Sequence, residues 1–258
     1  MRRFFYDHPV DAAGAAAICG TDAKHIKNVL RLKSGDRIVL FDGLGSEFEA
    51  EILSVSSSRV ALSILRRFPS LADSPVELIV AQGLLKDKKM DRLIRQLTEL
   101  GVTDWIPFIA ERSVPIPDPN RLLKRRQRWN KIAMESLKQC RRGSILNICP
   151  IASFEEVLVY ASTCDLKIMF WEEETGPFCS GVLKTNNKGV KKIIAMFGPE
   201  GGLTAREVDV AKTSGFVTAG LGPRILRAET ATLAACAILQ HQLGDLGEKN
   251  LDNANGFE

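Results

Sequence analysis

The sequence predicts an α/β protein: an open, mainly parallel sheet preceded by a small unit of β-strands. Three observations predict it. The apolar period changes after a proline-bounded stretch at residues 69–75, and strand-length apolar runs then alternate with helical spacing to about Gly244. Two of those runs, 193–197 and 216–221, are each followed by Gly-Pro. Between them lies a helical stretch opened by Thr204 with Glu207 three residues on, the spacing at which a hydroxyl and a carboxylate satisfy free backbone N–H groups. Right-handed crossovers make such strands parallel, so the loops at 198–202 and 222–224 emerge at one carboxyl edge, where open sheets bind ligands.

Taken in order, segments 36–42, 47–53 and 59–65 show roughly period-two apolarity, separated by Gly43, Gly45 or a serine run. A helical segment at 22–30 precedes them and carries Lys24, His25 and Lys27, with Arg31 just beyond. A solvated face and a nucleic-acid contact explain that charge equally well. Residues 69–75 read as a linker. Residues 76–84 form a continuous apolar run suited to a strand buried on both faces. Met90, Leu93, Ile94, Leu97 and Leu100 then recur at helical spacing over 87–100, and Gly101 ends the helix. A strand at 104–109, a long basic helix around 121–140, a strand at 166–170 and an alanine-rich helix at 227–239 complete the alternation. The organisation expected is a small domain at 1–70, a larger one at 75–246 and a polar, frayed tail at 247–258.

Composition sets bounds. The chain of 258 residues can bury a substantial core, and its net charge of +4 does not by itself announce a nucleic-acid binder, although cations crowd into residues 121–142. No apolar run is long enough to span a membrane. Asp7, His8 and Asp11 interrupt any signal-like segment, so a cytoplasmic location is expected. Cys19, Cys140, Cys149, Cys164, Cys179 and Cys236 are scattered, and the three histidines are far apart, so reduced thiols and no metal are expected.

The glycines carry the sharper signal. Gly198, Gly201, Gly202 and Gly222 can take positive φ and let a ligand approach the backbone, while Pro199 and Pro223 fix φ. Rigid loops whose surface is mostly main chain suit a flat, hydrogen-bonding ligand such as adenine. They form neither a phosphate loop ending in Gly-Lys-Ser/Thr nor the dinucleotide fingerprint. Ordinary tight turns would use the same residues.

The run Phe197-Gly198-Pro199-Glu200-Gly201-Gly202-Leu203-Thr204, followed by Leu221-Gly222-Pro223-Arg224-Ile225-Leu226-Arg227-Ala228-Glu229-Thr230-Ala231, resembles the RsmE family of ribosomal RNA methyltransferases. These belong to the SPOUT superfamily of knotted, S-adenosylmethionine-dependent enzymes. The resemblance covers nearly the whole chain, through Arg2-Arg3-Phe4-Phe5, residues 25–32, Gly35-Asp36, Phe41-Asp42-Gly43, residues 86–92, residues 98–102 and Glu111-Arg112-Ser113. It implies a PUA-like N-terminal β-barrel that engages RNA and a C-terminal SPOUT domain whose deep trefoil knot makes the cofactor pocket. It also implies a homodimer and methylation of N3 of a uridine in the decoding region of 16S ribosomal RNA, on the small ribosomal subunit. Another RNA target, or a non-catalytic RNA-binding module, are the rival functions.

On this resemblance Phe197, Gly198, Pro199, Gly201, Gly202, Leu221, Gly222, Ile225 and Leu226 line the S-adenosyl-L-methionine site, with Thr230 beside it. Arg227 stabilises a uridine anion or anchors phosphate. Glu200 or Glu229 is the candidate base, and each has a structural alternative, Glu200 in bonding loop N–H groups and Glu229 in the first turn of a helix. RNA contact falls to Arg2, Arg3, His25, Arg31, Lys86, Lys89, Arg92, Arg112, Lys138 and Arg142. Arg141 stands where the family commonly has a small residue, which leaves open which of Arg141 and Arg142 takes the family's role.

Overall fold

The computed structural model describes residues 1–8, 14–86, 88–114, 118–176, 178 and 189–247. Asp87, Cys179 and nearly all of the polar tail lie outside the described residues. The chain divides into two compact units, one of Met1–Asp73 with Leu137–Ile145 and one of Ser74–Ser136 with everything from Leu146 onward. The short return of 137–145 to the first unit is not marked by any change of period, and sequence alone assigns it to the larger unit.

The first unit is a five-stranded sheet built from β1 (Arg2–Phe5), β2 (Ala15–Cys19), β3 (Arg37–Phe41), β4 (Ser46–Val55) and β5 (Arg59–Pro69), in the order β1-β3-β4-β5-β2. All pairs are antiparallel except β1 with β3. Alternation in β3 to β5 puts Ile38, Leu40, Phe48, Ala50, Ile52, Val60 and Leu62 into one core. The strands β1 and β2 escape the sequence pattern: β1 begins with two arginines, and β2 is three alanines followed by Ile18 and Cys19. The helical segment expected at 22–30 is α1 (Gly20–His25) continued by a π-helical turn at Ile26–Leu30, which ends with Arg31 in the left-handed region at φ 53°. The stretch after Pro69 is no loose tether, because Asp73 accepts hydrogen bonds from Ser144 Oγ at 2.9 Å and Arg142 Nε at 3.4 Å.

The second unit is a parallel sheet of β6 (Glu77–Gly83), β7 (Asp104–Ile109), β8 (Asn147–Ile148), β10 (Leu166–Phe170), β11 (Lys192–Phe197) and β12 (Val217–Ala219), in the order β12-β10-β11-β6-β7-β8, with β9 (Ala152–Ser153) also on β7. Every described pairing in it is parallel. The helices are α2 (Lys89–Glu99), α3 (Pro119–Cys140), α4 (Phe154–Ala161), α5 (Ala205–Thr213) and α6 (Ala228–Leu243). Both α4 and α5 start with reciprocal caps, Ser153 with Glu156 and Thr204 with Glu207. Gly101 ends α2 at φ 76°, and a Cβ there would press on Gln240 of α6, whose amide donates to the Leu100 carbonyl at 3.0 Å.

Two expectations need amendment here, the bounds of the last strand and of the last helix. The strand expected at 216–221 shrinks to Val217–Ala219, with Gly220 in a single bridge beyond it. The two Gly-Pro strands run parallel in one sheet as expected, with β10 between them. The last helix runs to Leu243, four residues beyond the expected end. None of the described helices is long and apolar enough to cross a membrane.

Candidate active site

The chain runs outward from β6 to β7, then returns to the other side of β6 to lay down β10, β11 and β12, so the direction of winding reverses between β6 and β11. Crevices form where winding reverses, at the carboxyl ends of the strands. A cavity of about 470 Å³ lies there. The last residues of three parallel strands, Phe170, Phe197 and Ala219, line it. The rings of Phe170 and Phe197 stack at 4.8 Å with an interplanar angle of 1°, forming an apolar floor. The walls are the loops that follow: Trp171, Glu172 and Glu174 after β10, Gly198, Pro199, Glu200 and Gly202 after β11, and 220–228 after β12.

Each loop is pinned by residues that sequence periodicity does not single out. Gln82, fully buried in the apolar run of β6, donates its amide to the Gly198 carbonyl at 3.0 Å and accepts from Thr232 Oγ1 of α6 at 2.6 Å. A lone glutamine inside a continuous apolar strand was the available signal, since a buried amide must find partners. Gly83 comes next, and a Cβ there would lie 2.6 Å from the Pro199 nitrogen. Close approach of two backbones therefore demands glycine. On the far side Glu174 accepts from Thr218 Oγ1 at 2.6 Å and from the Gly176 N–H at 2.8 Å. Those two hydrogen bonds, the Thr218 one first, hold its carboxyl below the usual carboxylate range and fasten the β10 loop to β12.

Among the residues expected at the cofactor, Phe197, Gly198, Pro199, Gly202, Leu221, Gly222, Ile225 and Leu226 line the cavity. Two do not. Gly201 turns away and packs on Arg112, whose Nη1 donates to the Gly201 carbonyl at 3.2 Å. Thr230 is exposed, because Ala228 and Ala231, three residues apart on one face of α6, present that face to the cavity. The acidic loop after β10 carries no turn signature in the sequence, because it contains neither glycine nor proline until Gly176.

The ionic groups gather at the rim. Lys89 Nζ lies 3.1 Å from Glu200 Oε1 and 3.3 Å from Glu229 Oε2, so the two candidate bases share one cation. Glu200 also accepts the Lys86 N–H at 3.1 Å. Burial raises the Glu200 pKa, but the backbone N–H groups and the Lys89 ammonium outweigh it and leave the carboxyl below its ordinary range. Burial lowers the Lys89 pKa and the two carboxylates more than reverse that. Arg227, the residue before α6, is exposed and lines the cavity.

The cations expected to meet RNA separate into two groups. Lys89 belongs to the rim just described, and Arg112 is tied to the Gly201 carbonyl. Lys86 and Arg92 are exposed in the same unit. In the first unit Arg3 donates to Glu47 at 2.7 Å and to the Arg142 carbonyl at 3.1 Å, with its guanidinium over the Phe41 ring. Arg142 corrects the expectation: its side chain is only 4% exposed and is ion-paired with Asp73, so it serves the interior of the unit. Arg141, in the left-handed region at φ 68°, is the exposed neighbour. It lines a concavity of about 340 Å³ with Arg2, His25 and Lys138, while Arg31 is exposed beyond it. Among the described residues no cluster of His, Cys, Asp or Glu could hold a metal ion.

A parallel sheet with a glycine-proline cavity at its carboxyl edge occurs here in a chain that also carries a small β unit with an exposed basic concavity and that matches RNA methyltransferases. The family of RNA methyltransferase domains matches residues 72–240, and that of RNA methyltransferase PUA domains matches 18–65. Ribosomal RNA small subunit methyltransferase E of Bacillus subtilis is 35% identical over 250 residues, covering 94% of this chain and 97% of its own length. The enzyme of that name from Neisseria gonorrhoeae, solved bound to S-adenosylmethionine, is 30% identical with a TM-score of 0.81, covering 95% and 99% of the two chains. A structure from Legionella pneumophila, also solved with that cofactor, is 26% identical with a TM-score of 0.78, covering 95% and 98%. The chain belongs to the RsmE family of ribosomal RNA methyltransferases.

Proposed function

We propose that this protein binds S-adenosylmethionine in the cavity at the carboxyl ends of β10, β11 and β12 and methylates N3 of a specific uridine in the decoding region of 16S ribosomal RNA. The observation that carries the reading is the cavity itself. Its volume of about 470 Å³ falls in the ~300–1,000 Å³ range of small-molecule sites. Its apolar floor of stacked phenylalanines and its main-chain walls at 198–202 and 221–226 suit a purine, and the exposed Glu172 suits hydroxyls or an ammonium.

When bound, the cofactor supplies a methyl carbon activated by its sulfonium, and nothing in that displacement needs a metal. What the chain must supply is a base, because the nucleophile, uridine N3, carries a proton at neutral pH. The base must accept that proton while N3 is held near the electrophile. Lys89 pairs with both glutamates and does not separate them, but Glu200 also accepts the Lys86 N–H and its depressed pKa makes it a weak proton acceptor. Glu229, at the start of α6 two residues from Arg227, is the better candidate. Arg227 on the cavity wall is placed to stabilise negative charge spreading over the uracil carbonyls.

Arg2, His25, Arg31, Lys138 and Arg141 in the first unit, with Lys86 and Arg92 in the second, position the RNA through its phosphates, which gives affinity without sequence reading. A homodimer is part of the proposal, supported by the small, half-exposed residues along α6, among them Ala231, Ala234 and Ala237.

The test is transfer of labelled methyl to small ribosomal subunits lacking their own modification, with the product nucleoside identified by mass spectrometry. N3-methyluridine at one decoding-region position is the expected product. A different methylated nucleoside, or cofactor binding without transfer, overturns the substrate and leaves the cofactor site standing. A monomeric mass at micromolar concentration overturns the dimer.

A further inference from the structure

The rim of the cavity contains a cross-link whose cation, Lys89, has no part in the proposed chemistry. Glu200 sits in the loop after β11, Glu229 in the first turn of α6 and Lys89 in the first turn of α2. Three segments far apart in the chain thus meet at one ammonium, at 3.1 and 3.3 Å. Lysine carries three N–H donors in a rotatable head, so one side chain can engage two carboxylates at once. The Lys89 side chain is 33% exposed and the two glutamates 25% and 26%, so the contacts are partly withdrawn from water and are worth more than a surface pair.

We propose that Lys89 is a positioning residue of the methyl-transfer site: its ammonium fastens the loop after β11 to the start of α6 and so sets the width of the cavity and the placement of Arg227 and Glu229. Several observations support this over an RNA contact. Lys89 itself lines the cavity. The Lys86 N–H, three residues earlier, bonds the same Glu200, so the β6-to-α2 connection is tied to the β11 loop at Lys86 as well as at Lys89. Gln82 joins the same two segments from beneath, through the Gly198 carbonyl and the Thr232 hydroxyl. The loop after β11 and the first turns of α6 are therefore tied twice, by an amide in the interior and by an ammonium at the rim. The inner tie fixes where the backbones lie; the outer tie is the one that solvent, substrate or a change of charge can reach.

The proposal rests on reading the cavity as the cofactor site, and two measurements keep the two ideas apart. Hydrogen–deuterium exchange of the free protein tests the clamp without any ligand. Lys89→Met is expected to speed exchange in peptides covering 198–204 and 225–232, by about tenfold given that two partly buried pairs are lost, with little change at β7 and α3. Lys89→Arg is expected to return it to within about threefold, because the longer cation still reaches both carboxylates. Unchanged exchange at both segments, or a uniform rise over the whole unit, overturns the clamp. Titration with S-adenosylmethionine then connects the clamp to function. Affinity about tenfold weaker in Lys89→Met, recovered in Lys89→Arg and not weakened further by adding Glu200→Gln, is the expected pattern, since removing both ends of one interaction costs no more than removing one. Wild-type affinity for the cofactor combined with weaker RNA binding overturns the positioning role and makes Lys89 an RNA contact. Failure of the wild-type protein to bind the cofactor overturns the cavity reading while the exchange result still decides the clamp.

Discussion

The carboxyl edge of the parallel sheet and the basic concavity of the first unit advertise themselves very differently. At the sheet edge the telling residues are glycines and prolines, whose reason for being there is local sterics. In the first unit they are arginines, whose role is decided by what lies far off in sequence. Arg3 is taken by Glu47, forty-four residues away, and Arg142 by Asp73, sixty-nine away. Arg2, Arg31 and Arg141 remain exposed. A glycine that must admit a neighbouring backbone can be read from its own segment; an arginine cannot be assigned to RNA until its carboxylate partners have been found.

The comparison can be broken most decisively at the rim, where a few charged side chains carry the proposed chemistry and the loops carry the binding. Arg227→Ala is expected to lower single-turnover methyl transfer by about 10²–10³ while cofactor affinity stays within a few-fold, because the lost interaction is with charge that develops in the transition state. Glu229→Gln is expected to lose turnover to a similar degree and, because it removes the α6 end of the Lys89 tie, to weaken cofactor binding as Lys89→Met does. Glu200→Gln is expected to weaken cofactor binding with a smaller loss of turnover. Equal loss of turnover and affinity in all three would return both glutamates to a purely structural role.

A second test concerns the backbone. Gly83→Ala puts a methyl group 2.6 Å from the Pro199 nitrogen, and neither strand β6 nor the proline can yield easily. The expected cost is about 1–3 kcal/mol of stability, as for other overpacked sites. Denaturant unfolding would measure it, together with a loss of cofactor affinity. Gly222→Ala makes a useful contrast. No atom lies within 4 Å of a Cβ there, so only the positive φ of 96° resists the change, and the effect on stability should be smaller.

The two neighbouring arginines sharpen the comparison within the first unit. Arg142→Met is expected to destabilise that unit by about 2 kcal/mol, less than a fully buried pair loses, because the Asp73 side chain keeps 21% exposure and its Ser144 hydrogen bond. Arg141→Met is expected to leave the unfolding transition in place, weaken RNA binding uniformly and reduce the slope of log affinity against log salt by about one. The reverse assignment, with Arg142 governing the salt slope and Arg141 the stability, would undo the reading of both.

Much of this was legible in the sequence. The change of period after residue 69, the caps at Thr204 and Gly101 and the convergence of the two Gly-Pro loops all follow from short-range rules, and all are found in the structure. What the sequence withheld is long-range. Gln82 reads as an oddity in an apolar strand until Gly198 and Thr232 are seen beside it. Lys89 reads as one more cation in a basic run, because its two carboxylates lie on other elements. The loop after β10 carries no turn signature, yet Trp171, Glu172 and Glu174 form a wall of the cavity. The swap of β10 into the space between the two Gly-Pro strands is a matter of sheet order, which periodicity does not encode.

The smallest effect expected is in the acid limb of stability, where one carboxylate from each region can be compared. Arg66's hydrogen bond, opposed by burial and aided by Arg37, holds Glu49 below the ordinary glutamate range, and Glu49 lies at a register shift of the β4–β5 pair. Glu200 is depressed too, with the Lys86 N–H and Lys89 overcoming burial. A folded pKa below the unfolded one gives stability that is present above the unfolded value and lost as pH falls through the folded value. For Lys89 the sign reverses: its raised pKa gives stability present below the unfolded lysine value and lost only as pH rises through the folded one. All three contributions are therefore constant across neutral pH. Thermal unfolding followed against pH should decline only below the ordinary glutamate range. Glu49→Gln and Glu200→Gln should each remove part of that decline, the first without altering cofactor affinity and the second weakening it at every pH. Acid limbs that superimpose for the wild type and both variants would mean that neither pairing contributes to folding, and that the ion pairs of the rim and of the first unit alike are set by the fold without stabilising it.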